Sequence, residues 1–119
     1  MIKPLLPLFA SLRLGVVASG AAAQANRAPL SLQVYNGDAG SFHVNAVLVS
    51  GKTDAVLIDT GFTRADAHRI AAMVLDSRKT LKTIYISQAD PDFYFGAGVL
   101  KTLFPDATLI ASGPTVKKI

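Results

Sequence analysis

Gln88, Asp90 and Asp92 place three oxygen-bearing side chains within five consecutive positions of the stretch Ser87-Gln88-Ala89-Asp90-Pro91-Asp92-Phe93-Tyr94-Phe95-Gly96. Hard cations are held by such clusters of oxygen donors. Asp-Pro-Asp ahead of a helix is equally ordinary turn and N-cap chemistry, in which a short carboxylate accepts from the free N–H groups of the first turn. A second segment rich in Asp and Gly, Ile58-Asp59-Thr60-Gly61, admits the same two readings: Asp59 supports a ligand site, or it closes a turn. All eight acidic residues are Asp, so any carboxylate chemistry comes from short side chains. The two histidines, His43 and His68, stand alone and read as structural or exposed groups. Cysteine is absent, which removes disulfides, thiolate ligands and a cysteine nucleophile together.

These loops must be positioned by the elements around them. Leu32 and Val34 alternate with Ser31, Gln33 and Tyr35, which predicts a strand over 31–35, followed by the turn cluster Asn36-Gly37-Asp38-Ala39-Gly40. A second strand is expected over 42–49 and a hairpin turn at Ser50-Gly51-Lys52-Thr53. The third strand, 55–58, is apolar without clean alternation, as in a strand covered on both faces. Thr63 followed by Asp66 forms a capping-box pattern, and Ala67, Ile70, Ala71 and Val74 then recur at helical spacing, so a helix is expected over 64–77. A fourth strand over 83–87, a loop over 88–95, a helix over 97–104 stopped by Pro105 and a fifth strand over 107–111 follow. Thr115 to Ile119 reads as the opening of another helix. Strands in hairpins, then strands alternating with helices, predict an α/β (α+β-type) sheet with helices packed on one face. In such a sheet, loops at the carboxyl ends of strands are the usual ligand positions, and both Asp-rich segments lie there.

The first 25 residues differ from the rest. Lys3 precedes the apolar runs 5–12 and 14–18, and the small residues Ser19 to Ala25 end the segment in the layout of a secretory signal peptide, with cleavage expected after Ala23 or Ala25. Residues 26–30 form a polar linker, and the localisation expected from this layout is periplasmic or secreted. The formal charge is +4; without Lys3 and Arg13 the 12 basic residues become ten against eight acidic, and no basic stripe interleaves with aromatics. That balance argues against a nucleic-acid partner, and Arg13 interrupts the leader's apolar run, which argues against a membrane span.

The order and spacing of these segments resembles the first half of the metallo-β-lactamase superfamily. Asn45 precedes an apolar run; Leu57-Ile58-Asp59-Thr60-Gly61 and a helix follow; Ile84-Tyr85-Ile86-Ser87 then leads into a loop ending at Gly96. The resemblance covers residues 31–119 and implies an incomplete half of an αββα sandwich, with an apolar sheet face and edge left open for self-association. In that family the loop after the fourth strand reads His-x-His-x-Asp-His and holds two metals. The matching positions here are Gln88, Asp90, Asp92 and Phe93, so Asp92 alone is retained and Phe93 has no donor. The resemblance therefore implies metal ligands Asp92, Asp90 and Gln88, with Asp59 orienting them from behind and Gly61 and Gly96 shaping the loops. Zinc is the family's metal; an oxygen-donor set implies a harder divalent ion, or none.

Three functions follow as expectations. The first is an exported hydrolase cleaving a small-molecule ester, lactam, thioester or phosphoester with a metal-activated water. The second is a non-catalytic or binding protein of the same fold, whose pocket floor is made apolar by Phe93, Tyr94 and Phe95. The third is a truncated fragment without independent activity.

Overall fold

The computed structural model describes residues 28–119. The expected leader and residues 26 and 27 of the linker lie outside the described residues. Five strands, β1 (Ser31–Asn36), β2 (Asn45–Ser50), β3 (Asp54–Ile58), β4 (Thr80–Ile86) and β5 (Thr108–Ala111), form one sheet in sequential order. The first three run antiparallel through short connections, whereas β3, β4 and β5 are parallel and need crossovers. The crossovers are helical: α1 (Arg64–Asp76) joins β3 to β4, and the short α2 (Pro91–Tyr94) and α3 (Ala97–Leu103) join β4 to β5. A last turn of helix, α4 (Gly113–Val116), follows β5. Among the described residues no helix is long and apolar enough to cross a membrane.

Helix α1 starts where the capping-box pattern expects. Thr63 accepts from the Asp66 backbone N–H at 3.0 Å, and the Asp66 carboxylate accepts from the Thr63 backbone N–H at 3.0 Å. Its Ala67, Ile70, Ala71 and Val74 stripe is buried, and Ile70, Ala71 and Val74 pack in one cluster with Leu48, Leu57 and Ile84 of the sheet and Leu100 of α3. Each of these large side chains is removed from water and stabilises the fold by about 2 kcal/mol.

Strand β4 begins three residues before the expected 83. Ala55 pairs with Leu81 and Val56 with Thr83, which leaves Lys82 as an extra bulged residue. The bulge interrupts the period of two, so the alternation that marks a strand is lost at 80–83, and it turns Leu81 to the same buried face as Ile84 and Ile86. Strand β2 is shorter than expected at its start. Phe42 and His43 have φ of 54° and 55°, and their N–H groups bond back to Ala39 and Asp38 carbonyls, so these residues form a tight turn rather than strand. The 88–95 loop likewise contains the helical turn α2.

All helices with a core contact lie on one face, the face carrying Leu48, Leu57 and Ile84. The opposite face presents Leu32 and Val34 beside Val49 and Val47, then Val56 and Ile58, then Thr83 and Tyr85. Leu32 and Val34 are 67% and 53% exposed, whereas their β2 and β3 neighbours Val47, Val49, Val56 and Ile58 are only partly exposed. The described residues therefore form a two-layer arrangement with one dry and one more open sheet face.

Candidate functional site

The loops after β3 and β4 meet at the carboxyl edge of the sheet, joined at three levels. The Asp59 carboxylate accepts from the Ser87 N–H at 2.8 Å with one oxygen and from the Ser87 hydroxyl at 2.7 Å with the other. The Phe93 carbonyl accepts from both the N–H and the hydroxyl of Thr60, at 2.8 and 3.0 Å. The Gly96 N–H donates to the Gly61 carbonyl at 3.1 Å. Such close passage explains both glycines: Gly61 has φ of 78°, and a Cβ on Gly96 would overlap the Thr60 carbonyl. Asp59 itself has φ of 64°, a region that Asp tolerates better than most residues. Burial raises the Asp59 pKa, the Ser87 hydrogen bonds oppose that rise, and the charge of Asp92 adds to it.

A second polar node sits behind the first loop. The buried Asp66 carboxylate accepts from Tyr35 Oη at 2.5 Å, from Ser41 Oγ, and from the N–H and hydroxyl of Thr63 at 3.0 and 2.7 Å; Arg69 adds an ion pair at 3.5 Å. Burial alone would raise its pKa, but the Ser41, Tyr35 and Thr63 hydrogen bonds win and hold it well below the usual carboxylate range. The node ties β1, the 39–44 turn and the start of α1 to one side chain, and Ser41 is adjacent to Phe42. Within that turn the Ser41 and His43 N–H groups both donate to the Asp38 carbonyl, so the left-handed conformation of Phe42 is held from both sides. Left-handed backbone costs a non-glycine residue about 1–2 kcal/mol. Phe42 is nonetheless 69% exposed.

The exposed ring is part of an aromatic row. Phe42 meets Phe62 edge to face at a centroid distance of 5.2 Å, Phe62 stacks on Phe95 at 5.5 Å, and Tyr94 meets Phe95 edge to face at 5.2 Å. Phe42 and Phe62, with Asp90, Pro91 and Asp92, line an open cavity of about 490 Å³. Its apolar wall is therefore supplied by Phe42 and Phe62, not by the 93–95 run expected from sequence; Phe93 contributes its carbonyl to Thr60 instead. Neither aromatic is near residue 90 in sequence, and no local pattern marks them.

The three expected ligands do not share one cavity. Asp90 and Asp92 line the aromatic cleft, whereas Gln88 faces a smaller cavity of about 180 Å³ with Ala89, Asp90, Pro114, Thr115 and Lys118. Asp90 lines both cavities. Asp90 stands at the N-cap position of α2 but makes no capping hydrogen bond, and its carboxylate has no hydrogen-bond partner among the described residues. His43 is exposed on the turn before β2, and His68 lies with Arg64, Val99, Thr102 and Leu103, away from the cleft. Among the described residues no group of three or more His, Cys, Asp or Glu side chains converges on a point where a metal ion could sit. Both Asp59 oxygens are engaged by Ser87, and the position where the resemblance expects the last imidazole carries a phenyl ring. This donor set does not fit a zinc centre of the family kind.

No family model matches the sequence, and no curated protein matches it. Solved structures do match the fold. A metallo-β-lactamase from Hirschia baltica superposes with a TM-score of 0.58 at 17% identity, over 76% of this chain and 46% of that one. TMB-1 gives 0.55 at 19% identity over 76% and 46%, and the metallo-β-lactamase FIM-1 from Pseudomonas aeruginosa, solved in a mono-zinc form, gives 0.54 at 15% identity over 76% and 45%. The chain thus has the metallo-β-lactamase-like fold and spans less than half the length of these relatives in structure.

Proposed function

We propose that this chain uses a metallo-β-lactamase-like fold as a small-molecule binding scaffold, with the cleft between Phe42, Phe62, Asp90 and Asp92 as its ligand site. The observation that carries the reading is the exposed Phe42 ring, held in a left-handed turn and continued by Phe62, itself stacked on Phe95, into an aromatic wall beside the carboxylates of Asp90 and Asp92. Apolar walls with a few polar groups are what small-molecule sites are made of, and backbone strain is concentrated where function requires it. Metal-dependent hydrolysis of an ester, lactam, thioester or phosphoester is supported by the fold alone, because the described ligands are too few and stand in two cavities. Export is supported by the layout of residues 1–25.

Zinc separates the two readings. Anything that binds the folded state raises its melting temperature, by about 2.7 kcal/mol of stability at a hundredfold excess over the dissociation constant. For the binding scaffold, zinc, manganese and calcium at micromolar concentration leave the melt unchanged and the dialysed chain retains no stoichiometric metal. One or two equivalents of zinc retained after dialysis, with a raised melt that Asp92→Ala abolishes, would replace this reading with the hydrolase.

A further inference from the structure

The chemistry of the cleft selects the charge of its ligand. Phe42, Phe62 and Pro91 offer apolar surface, and the polar groups among its lining residues are the carboxylates of Asp90 and Asp92. Among the described residues no lysine, arginine or histidine lines it, and neither carboxylate forms an ion pair or accepts a side-chain hydrogen bond. Lys118, across Asp90 in the neighbouring cavity, makes no ion pair with it. An anionic ligand would meet two carboxylates that lack ion-pair partners among the described residues, and the negative faces of the phenyl rings. A bare metal ion would find two carboxylates and no third convergent ligand, with phenyl groups that cannot replace its water. A neutral apolar molecule would leave both carboxylates unpaired.

An organic cation satisfies every wall at once. The ring quadrupole attracts positive charge over its face within about 6 Å of the centroid, and a nearby carboxylate adds a Coulomb attraction in the same direction. Resting on the binding-scaffold reading above, we propose that the cleft takes an organic cation, an ammonium group carried on an apolar or aromatic body, with the body against Phe42 and Phe62 and the charge between Asp90 and Asp92. Asp90 and Asp92 determine the charge preference, and Phe62, stacked on Phe95 behind it, supplies the fixed surface on which the body rests.

Two isosteric probes test this with the full chain. Phenyltrimethylammonium and tert-butylbenzene have the same shape and differ in charge, and their binding is followed by the amide shifts of residues 42, 62 and 90–92 in a titration. The cation is expected to bind about tenfold more tightly than the hydrocarbon, and benzenesulfonate not at all. The double variant Asp90→Asn, Asp92→Asn, at exposed or half-exposed positions outside the core, removes the preference while the hydrocarbon still binds. Equal affinity for the two isosteres would overturn the cation inference and leave the apolar cleft standing. Shifts at the same amides with calcium alone, and none with either isostere, would overturn both readings.

Discussion

Replacing Gly96 by alanine lowers the stability of the folded chain by about 3 kcal/mol or more, the upper end of what an overpacked site costs. The clash is with backbone: the new Cβ would overlap the Thr60 carbonyl and approach the Ala67 Cβ to 3.0 Å, and neither has a flexible end that can swing aside. Relief requires the loops after β3 and β4 to separate. That strains the Gly61 to Gly96 hydrogen bond and the two bonds from Thr60 to Phe93. Gly98, two residues on in α3, is the control. Nothing lies within 4 Å of a Cβ there, so Gly98→Ala stabilises the helix by about 1 kcal/mol through reduced backbone freedom in the unfolded chain. Urea titrations of the two variants should therefore shift their midpoints in opposite directions. A Gly96→Ala midpoint equal to that of the parent would mean that the loops are not packed as described.

Asp66→Ala should destabilise by a similar amount, about 3 kcal/mol, because it strands several donors and removes half of a capping box. The Tyr35, Ser41 and Thr63 groups that converge on this carboxylate come from three separate elements. The sign of the pH dependence follows from the lowered pKa. A carboxylate whose folded pKa lies below its ordinary value of 3.8 contributes stability fully present above that value and lost as pH falls through the folded one. The gap between parent and Asp66→Ala should accordingly be widest near neutrality and narrow at the acid end of a pH series of melts. A gap that is constant with pH would show that the hydrogen bonds do not depend on the ionised form. The amide of Phe42, next to Ser41, should also change its chemical shift, which links this buried node to the cleft.

The parts of the fold that were legible in the sequence are those decided locally. Thr63 and Asp66 announce the start of α1 because both partners of the capping box lie within three residues, and the Ala67, Ile70, Ala71 and Val74 stripe reports its buried face. Strands β3 and β5 are short, mostly apolar runs whose expected bounds agree with the observed ones to within a residue. Where a non-local contact decides, sequence reading fails in a recognisable way. Phe42-His43-Val44 has the composition of a strand, yet the Asp38 carbonyl and the Asp66 carboxylate fold it into a turn, the latter from 25 residues away at Ser41. Lys82 hides the first half of β4 because one extra residue reverses the alternation. The site was legible as a loop and not as a surface. Asp90 and Asp92 are evident, but Phe42 and Phe62 join them only through the sheet, and Gln88 faces another cavity.

The open sheet face has a thermal consequence. Unfolding raises the heat capacity chiefly by wetting apolar surface, and a compact fold of this size would show about 1.2 kcal/mol/K. In this chain Leu32 and Val34 are in water before unfolding begins, and Val47, Val49, Val56 and Ile58 are partly so. The heat-capacity step should fall clearly below that value, and the curve of stability against temperature should be correspondingly flat, with little loss of stability on cooling. Calorimetry of the full chain at two concentrations measures the step directly, and a step of ordinary size would mean that the face is covered in solution.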